Sequence, residues 1–212
     1  MAAPTRKRLT AEARRAEILD AASAVFSARG YHAAALDDIA REAGVSKALI
    51  YEHFSSKQEL HADLVEAHAA ELYERLVRAV PSVDGSASRL AAGLNAFFAF
   101  VEERRDAWRM LFREAADPEA VAVLDRMLVQ VTAVVAALIA AEPGAQKLPQ
   151  GKAEREQGIH LIAQMLVGAV QTVANWWAEN PEISREHLVE TAMGFAWLGL
   201  DRLSRGERWT AG

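Results

Sequence analysis

The sequence predicts an all-α protein, and three observations carry that prediction. Chain breakers are scarce, with 12 glycines and 6 prolines in 212 residues. Alanine, the strongest helix former, is abundant. Apolar residues recur at intervals of three and four, and almost nowhere alternate in the manner of a strand.

The elements follow in order. Thr10 is placed to cap a first helix from Ala11, in which Ile18, Leu19, Ala22, Val25 and Phe26 share a face. Gly30 ends that helix, with Arg29 in its last turn. A short second helix spans 36–43, with Asp37 and Asp38 in the first turn, where the helix dipole favours anions. Gly44 stops it, and Ser46 caps a third helix over 47–54. Ser56-Lys57-Gln58-Glu59 is a capping box that opens a long fourth helix running toward Val80. Pro81 and the Ser/Gly-rich stretch 82–88 break the pattern. Further helices are expected over 89–103, 106–114, 118–141, 152–179 and 184–204, giving about nine in all. Their breaks fall near Arg105, near Asp117, in the 142–151 loop and at Asn180-Pro181. The last is a firm stop, because proline disfavours α geometry in the residue before it.

Composition narrows the class. Hydrophobic residues at 51% and charged residues at 25% are ordinary for a globular protein of one or two domains. With no cysteine, disulfides, thiolate metal sites and a cysteine nucleophile are excluded. A net charge of -5 argues against coating nucleic acid through bulk charge. The charge is uneven, however: residues 1–60 carry a net +1, with Arg6, Lys7 and Arg8 in the first eight residues, and residues 61–212 carry -6. No apolar run approaches the roughly 20 residues of a membrane span, 131–141 being the longest candidate. The basic N-terminus has no apolar stretch behind it, so no secretory signal is expected. The expectation is a cytoplasmic protein with no membrane partner.

Enzyme signatures are missing. The sequence has no G-x-S-x-G, no phosphate-cradling glycine loop and no dinucleotide fingerprint. Glu102 and Glu103 are adjacent on a helix and point apart, as solvated charges do. The six histidines, His32, His53, His61, His68, His160 and His187, form no H-x-x-x-H pair. The protein is expected to be no enzyme and to need no metal or cofactor.

The informative segment is 36–57. Ile39, Ala40 and Ala43 line one face of the second helix, and Val45, Ile50 and Phe54 make the facing stripe of the third. Ala40 is small enough for close approach, and Gly44 permits the positive φ that a tight turn needs. This is the pattern of a helix-turn-helix. Lys47, Leu49, Tyr51 and His53 then project outward, a set suited to the major groove.

Taken together, Ile39-Ala40, Ala43 to Ser46, Tyr51, His53-Phe54, Ser56-Lys57 and Leu60 spell I-A-x-x-A-G-V-S-x-x-x-x-Y-x-H-F-x-S-K-x-x-L. With Ile18 to Ala22, Phe26 and Gly30-Tyr31 upstream, this resembles the TetR family of bacterial transcriptional regulators over about residues 10–62. The resemblance implies a DNA-binding domain at 1–55 with a basic arm, and an effector-binding and dimerisation domain at 56–212. It assigns Tyr51, His53 and Lys57 to phosphates and turns Lys47 and Leu49 toward bases. Ala48 matches the small residue usual at the second position of the recognition helix. Two departures stand out. Ala35 replaces the usual capping threonine, so the second helix starts less firmly. Leu49 and Glu52 stand where polar or variable residues are usual, which leaves the operator sequence open.

The rest of the chain is read from its own residues. It holds all five tryptophans, Trp108, Trp176, Trp177, Trp197 and Trp209. Gln164, Gln171 and Asn175 share a face of the 152–179 helix, and buried polar groups need partners, either a ligand or a second subunit. The candidate ligand-binding residues are Trp108, Phe112, Met127, Gln164, Gln171, Asn175 and Trp176. Leu188, Ala192, Phe195, Gly199 and Leu203 recur near heptad spacing, and Gly158, Ala163, Gly168 and Ala169 are small residues on the preceding helix. Small residues let another helix come close. Packing within one subunit satisfies the same pattern, and the family resemblance favours an isologous homodimer through 152–204.

The expected function is a one-component repressor that binds a double-stranded, palindromic DNA operator and is released by a small apolar or amphipathic effector. Two alternatives are a ligand-independent activator on the same fold and a helical interaction protein whose helix-turn-helix no longer binds DNA.

Overall fold

A computed structural model describes residues 10–112, 118–141 and 151–204. Among the described residues there are nine α-helices, one 3-10 turn and no strand. The helices are α1 (Ala11–Ala33), α2 (Leu36–Glu42), α3 (Lys47–His53), α4 (Lys57–Ala79), α5 (Ser86–Glu103), α6 (Arg105–Phe112), α7 (Pro118–Ala140), α8 (Lys152–Trp177) and α9 (Arg185–Ser204).

The ends obey local chemistry. Thr10 accepts from the Ala13 N–H at 3.2 Å and caps α1. Gly30 sits at φ 74°, kinks α1, and is followed by one further turn to Ala33 rather than by an immediate end. Gly85, at φ 87°, supplies the break before α5, so the Ser/Gly-rich stretch after it is already helical from Ser86. The break near Arg105 is one residue, Arg104, and α6 starts directly after it. The last turn of the predicted 152–179 helix opens at Ala178, where α8 ends.

Helix α4 is the spine. It packs against α1 on one side and against α5, α6 and α7 on the other. α7 lies between α4 and α8, and α9 lies on α5. One apolar cluster runs from Ile18 and Phe26 through Leu64 and Leu72 to Phe98, Trp108, Met127 and Trp177. Burying such side chains stabilises the fold by about 25 cal/mol per Å² of apolar surface.

α7 corrects one expectation. It is long and apolar enough, by length and composition, to cross a membrane. Past Arg126 no charge interrupts it, and Gln130, the polar residue just before the 131–141 run, lies within the helix. Ala120, Val123, Leu124, Met127 and Thr132 on α7 are buried against its neighbours.

The stripe expected along α9 is covered over only part of its length. Leu188 is buried and Ala192 half-buried toward the core, whereas Phe195 and Gly199 face outward. Seven residues on a 3.6-residue helix drift by only about 20°, so the stripe keeps one face of α9, with its first part covered by the core and Phe195 and Gly199 left open. The side chain of Leu203, together with Arg6, Lys7, Arg8 and Trp209, lies outside the described residues.

Candidate nucleic-acid interface

The α2–turn–α3 unit is built from the residues the sequence singles out. The turn is closed by the Val45 N–H donating to the Ala40 carbonyl at 2.9 Å and the Gly44 N–H to the Arg41 carbonyl at 3.2 Å. Gly44 takes φ 62°, the left-handed region that a Cβ disfavours. Ile39, Ala40, Ile50 and Phe54 are buried and hold the two helices together. Ser46 caps α3 by accepting from the Leu49 N–H at 3.2 Å.

α2 lacks a side-chain cap at Ala35, in keeping with the absent threonine. Its start is secured instead by Asp38, which accepts from Arg29 of α1 at 2.7 Å and from Arg41 at 2.9 Å. The hydrogen bond from Arg41, with Arg29 adding to it, holds the Asp38 carboxyl below the usual carboxylate range.

On the outer side of α3, Lys47, Ala48, Tyr51 and Glu52 are exposed, and Leu49 and His53 are half-buried. Tyr51 is 51% exposed although one face of the same helix is buried. A large aromatic with its hydroxyl in water on a short helix is shaped to meet something. Lys47 is held by Asp37 at 3.0 Å, and that hydrogen bond raises its pKa.

Lys57 opens α4, where Ser56 accepts from the Glu59 N–H at 3.0 Å. The Glu59 carboxylate reaches back to the Ser55 N–H at 2.6 Å, one residue before the position a standard capping box would use. The Lys57 ammonium stands 4.5 Å over the Tyr31 ring, and burial lowers its pKa. Tyr31 in turn packs on Phe26 and His61 at ring distances of 5.8 and 4.4 Å. On the same side, Arg15 lies 4.9 Å over Phe54 and pairs with Asp63, clamping α1 to α3 and α4.

Arg15 and Asp63 had no sequence signal, and nothing in the sequence paired Asp37 with Lys47 or Tyr31 with Lys57. Their partners lie ten or more residues away, and no local periodicity encodes such pairs.

The expected ligand residues divide into two groups. Trp108 is fully buried, meets Phe97 edge-on at 5.3 Å and Phe112 at 4.2 Å, and donates from Nε1 to Asn175 Oδ1 at 3.0 Å. Met127 lies in the same apolar cluster. Gln171 is half-buried, while Gln164 and Trp176 face outward, Trp176 at 49% exposure. The adjacent Trp177 is the buried one, donating to the Ile183 carbonyl at 2.8 Å. Among the described residues no three His, Asp or Glu side chains come together in a way that could hold a metal.

Comparison with known proteins agrees with this geometry. Residues 18–64 match the family described as "Bacterial regulatory proteins, tetR family", and residues 87–199 match "Tetracyclin repressor-like, C-terminal domain". The chain belongs to the TetR family of transcriptional regulators. It is similar to the HTH-type transcriptional activator FasR of Mycolicibacterium smegmatis, at 35% identity over 199 residues, covering 92% of this chain and 87% of that one. The HTH-type transcriptional repressor KstR2 of Mycobacterium tuberculosis is 35% identical over 89 residues, 42% of this chain and 44% of that one. Among solved structures, a TetR-like regulator from Rhodococcus sp. RHA1 superposes with a TM-score of 0.75 at 29% identity, covering 92% of this chain and 99% of that one. FadR from Bacillus subtilis, in complex with stearoyl-CoA, shares the fold with a TM-score of 0.69 at 18% identity, covering 91% of this chain and 99% of that one. The all-α class and the regulator reading therefore stand, and the family is one of regulators rather than enzymes.

Proposed function

We propose that this TetR-family regulator is a dimeric, effector-controlled repressor acting on cytoplasmic DNA. The DNA-binding unit is residues 1–55, and the remainder, 56–212, carries the dimer face and the effector site. The observation that carries the DNA reading is the outer face of α3, where Lys47, Ala48 and Tyr51 stand exposed on a helix anchored by buried Ile50 and Phe54. Lys47 and Leu49 address bases, Ala48 allows close approach, and Tyr51, His53 and Lys57 contact phosphates.

The dimer forms through 152–204. Leu161, Met165 and Trp176 on α8 are exposed, as is Phe195 on α9, with Met165 at 65% and Phe195 at 75%. Gly158, Gly168, Gly194 and Gly199 face open space. Exposed apolar residues on two consecutive helices, with glycines among them, support a second copy of the chain as their cover. Gln164 and Trp176, on the exposed side of α8, belong to that surface as readily as to an effector site.

The effector is apolar or amphipathic and enters the body around Trp108, Phe112, Met127, Gln171 and Asn175. The FadR–stearoyl-CoA structure supports a fold able to house a long acyl chain. Release follows from a population shift: a ligand that prefers the conformation with misplaced recognition helices weakens DNA binding by its differential affinity. Activation from the same operator is the second reading, favoured by the likeness to FasR, which is named an activator.

The test begins with duplexes selected by the protein from a random pool. Palindromic half-sites about 34–36 Å apart are expected. A reporter placed behind the selected site should fall when the protein is expressed and recover with acyl thioesters or lipophilic cations. A rise on expression establishes activation, and selection of no sequence at all overturns DNA recognition by α3.

A further inference from the structure

The contacts above leave one close pair without a role. Lys47 Nζ lies 3.0 Å from Asp37 Oδ2, across the turn that joins α2 to α3. Both side chains are exposed, so the pair adds little to folding. Asp38, its neighbour, is sequestered by Arg29 and Arg41 and ties α1 to α2. Of two adjacent acids, one is structural and the other is turned to the recognition helix. Tyr51, four residues on and also exposed, shares the face of α3 with Lys47. Carboxylate, ammonium and phenol thus form one exposed cluster on the face assigned to DNA.

We propose that Asp37 is a specificity-determining residue that positions Lys47: it holds the ammonium where it addresses a base edge rather than the nearest phosphate. This rests on the reading of Lys47 as a base-facing residue. A lysine free beside DNA is a mobile point charge. The duplex carries about one phosphate charge per 1.7 Å of axis, and phosphate contacts carry no sequence information. A carboxylate at 3.0 Å occupies one of the three ammonium donors, offsets its charge and restricts its swing. The remaining donors can meet acceptors such as guanine O6 and N7. The same carboxylate repels phosphate, so it trades overall affinity for discrimination.

The test compares the duplex selected by the wild-type protein with a scrambled duplex of equal composition, across a salt series. Asp37→Asn should tighten the scrambled duplex more than the selected one, lowering the affinity ratio by about tenfold, the scale of one base contact. Its salt dependence should steepen by roughly one unit as Lys47 turns to a phosphate. Asp37→Glu should keep most of the discrimination. Lys47→Ala should lose it, and adding Asp37→Asn to Lys47→Ala should change the ratio no further. Thermal unfolding of each variant should stay close to the wild type, since neither side chain is buried and Asp37→Asn gives up only the helix-dipole contribution at the start of α2. An unchanged ratio for Asp37→Asn, or equal tightening of both duplexes, overturns the proposal and leaves Asp37 a repeller of phosphate. If Lys47→Ala alone keeps the full preference, the base-facing reading of Lys47 fails, whatever Asp37 does.

Discussion

The indole N–H of Trp108 donates to the side-chain oxygen of Asn175 at 3.0 Å, tying α6 to α8 across 67 residues of sequence. Trp108 is fully buried, and Asn175 is the partner of its indole N–H. α6 also packs on α4 and touches α1, so the bond joins α8 to an element in contact with both. Asn175→Leu strands the buried donor and should cost about 1–3 kcal/mol in urea unfolding. Pairing it with Trp108→Phe removes both partners and should recover part of that loss. A wild-type midpoint for Asn175→Leu alone would show that the bond adds nothing.

Lys57 tests the phosphate assignment. Its ammonium rests over Tyr31 in the free protein and sits at the start of α4. Lys57→Ala should weaken selected and scrambled duplexes about equally and flatten the salt slope by roughly one unit. Equilibrium binding at several salt concentrations reads both quantities. Unaltered affinity and slope would remove Lys57 from the interface.

The α8–α9 face gives a sharp dimer test. A Cβ at Gly199 meets nothing within 4 Å, so Gly199→Arg should leave each subunit folded. At a close helix–helix contact the same arginine would be a buried charge with no partner, costing several kcal/mol. Sedimentation should report monomer, circular dichroism should report unchanged helix, and operator affinity should fall. Phe195→Asp should do the same. A tight dimer from both variants would move the interface elsewhere.

His68 makes a pH prediction. Its Nε2 is buried without a hydrogen-bond partner, in a cleft of about 980 Å³ between α1, α4 and the α5–α6 corner. Burial lowers its pKa, with Arg104 acting the same way and Glu71 and Asp20 opposing. The folded-state pKa is thus below the unfolded value of about 6.5. Above that pH both states are neutral and the group costs nothing. As pH falls through 6.5 the unfolded chain takes the proton first, and stability declines. His68→Leu should lose less stability than the wild type between about pH 7 and 5.5. Parallel pH profiles for the two proteins would mean that His68 keeps an ordinary pKa.

Much of this was legible in the sequence because it is written in short-range chemistry. Thr10, Ser46 and Ser56 each accept an N–H three residues on. Gly30 and Gly44 take the positive φ that only glycine takes cheaply. What periodicity left open was long-range. Leu188 and Phe195 lie on one stripe of α9, yet the first is buried on a helix that packs against α5 and the second is exposed. Gln164, Gln171 and Asn175 share a helix face by spacing, yet Asn175 is engaged by Trp108 while Gln164 faces outward. Periodicity specifies a face and says nothing of which neighbour arrives there.

By itself the sequence determined the all-α class, the helix-turn-helix and the residues of its outer face, because caps, breakers and the motif from Ile39 to Leu60 act within a few turns of chain. Tertiary structure alone decided which acid meets Lys47, which ring carries Lys57, and which polar group satisfies Trp108. Each of those pairs joins residues 10 to 67 positions apart. Their meeting depends on how whole helices settle against α4, and packing of that kind is set by the summed burial of many side chains rather than by any local signal.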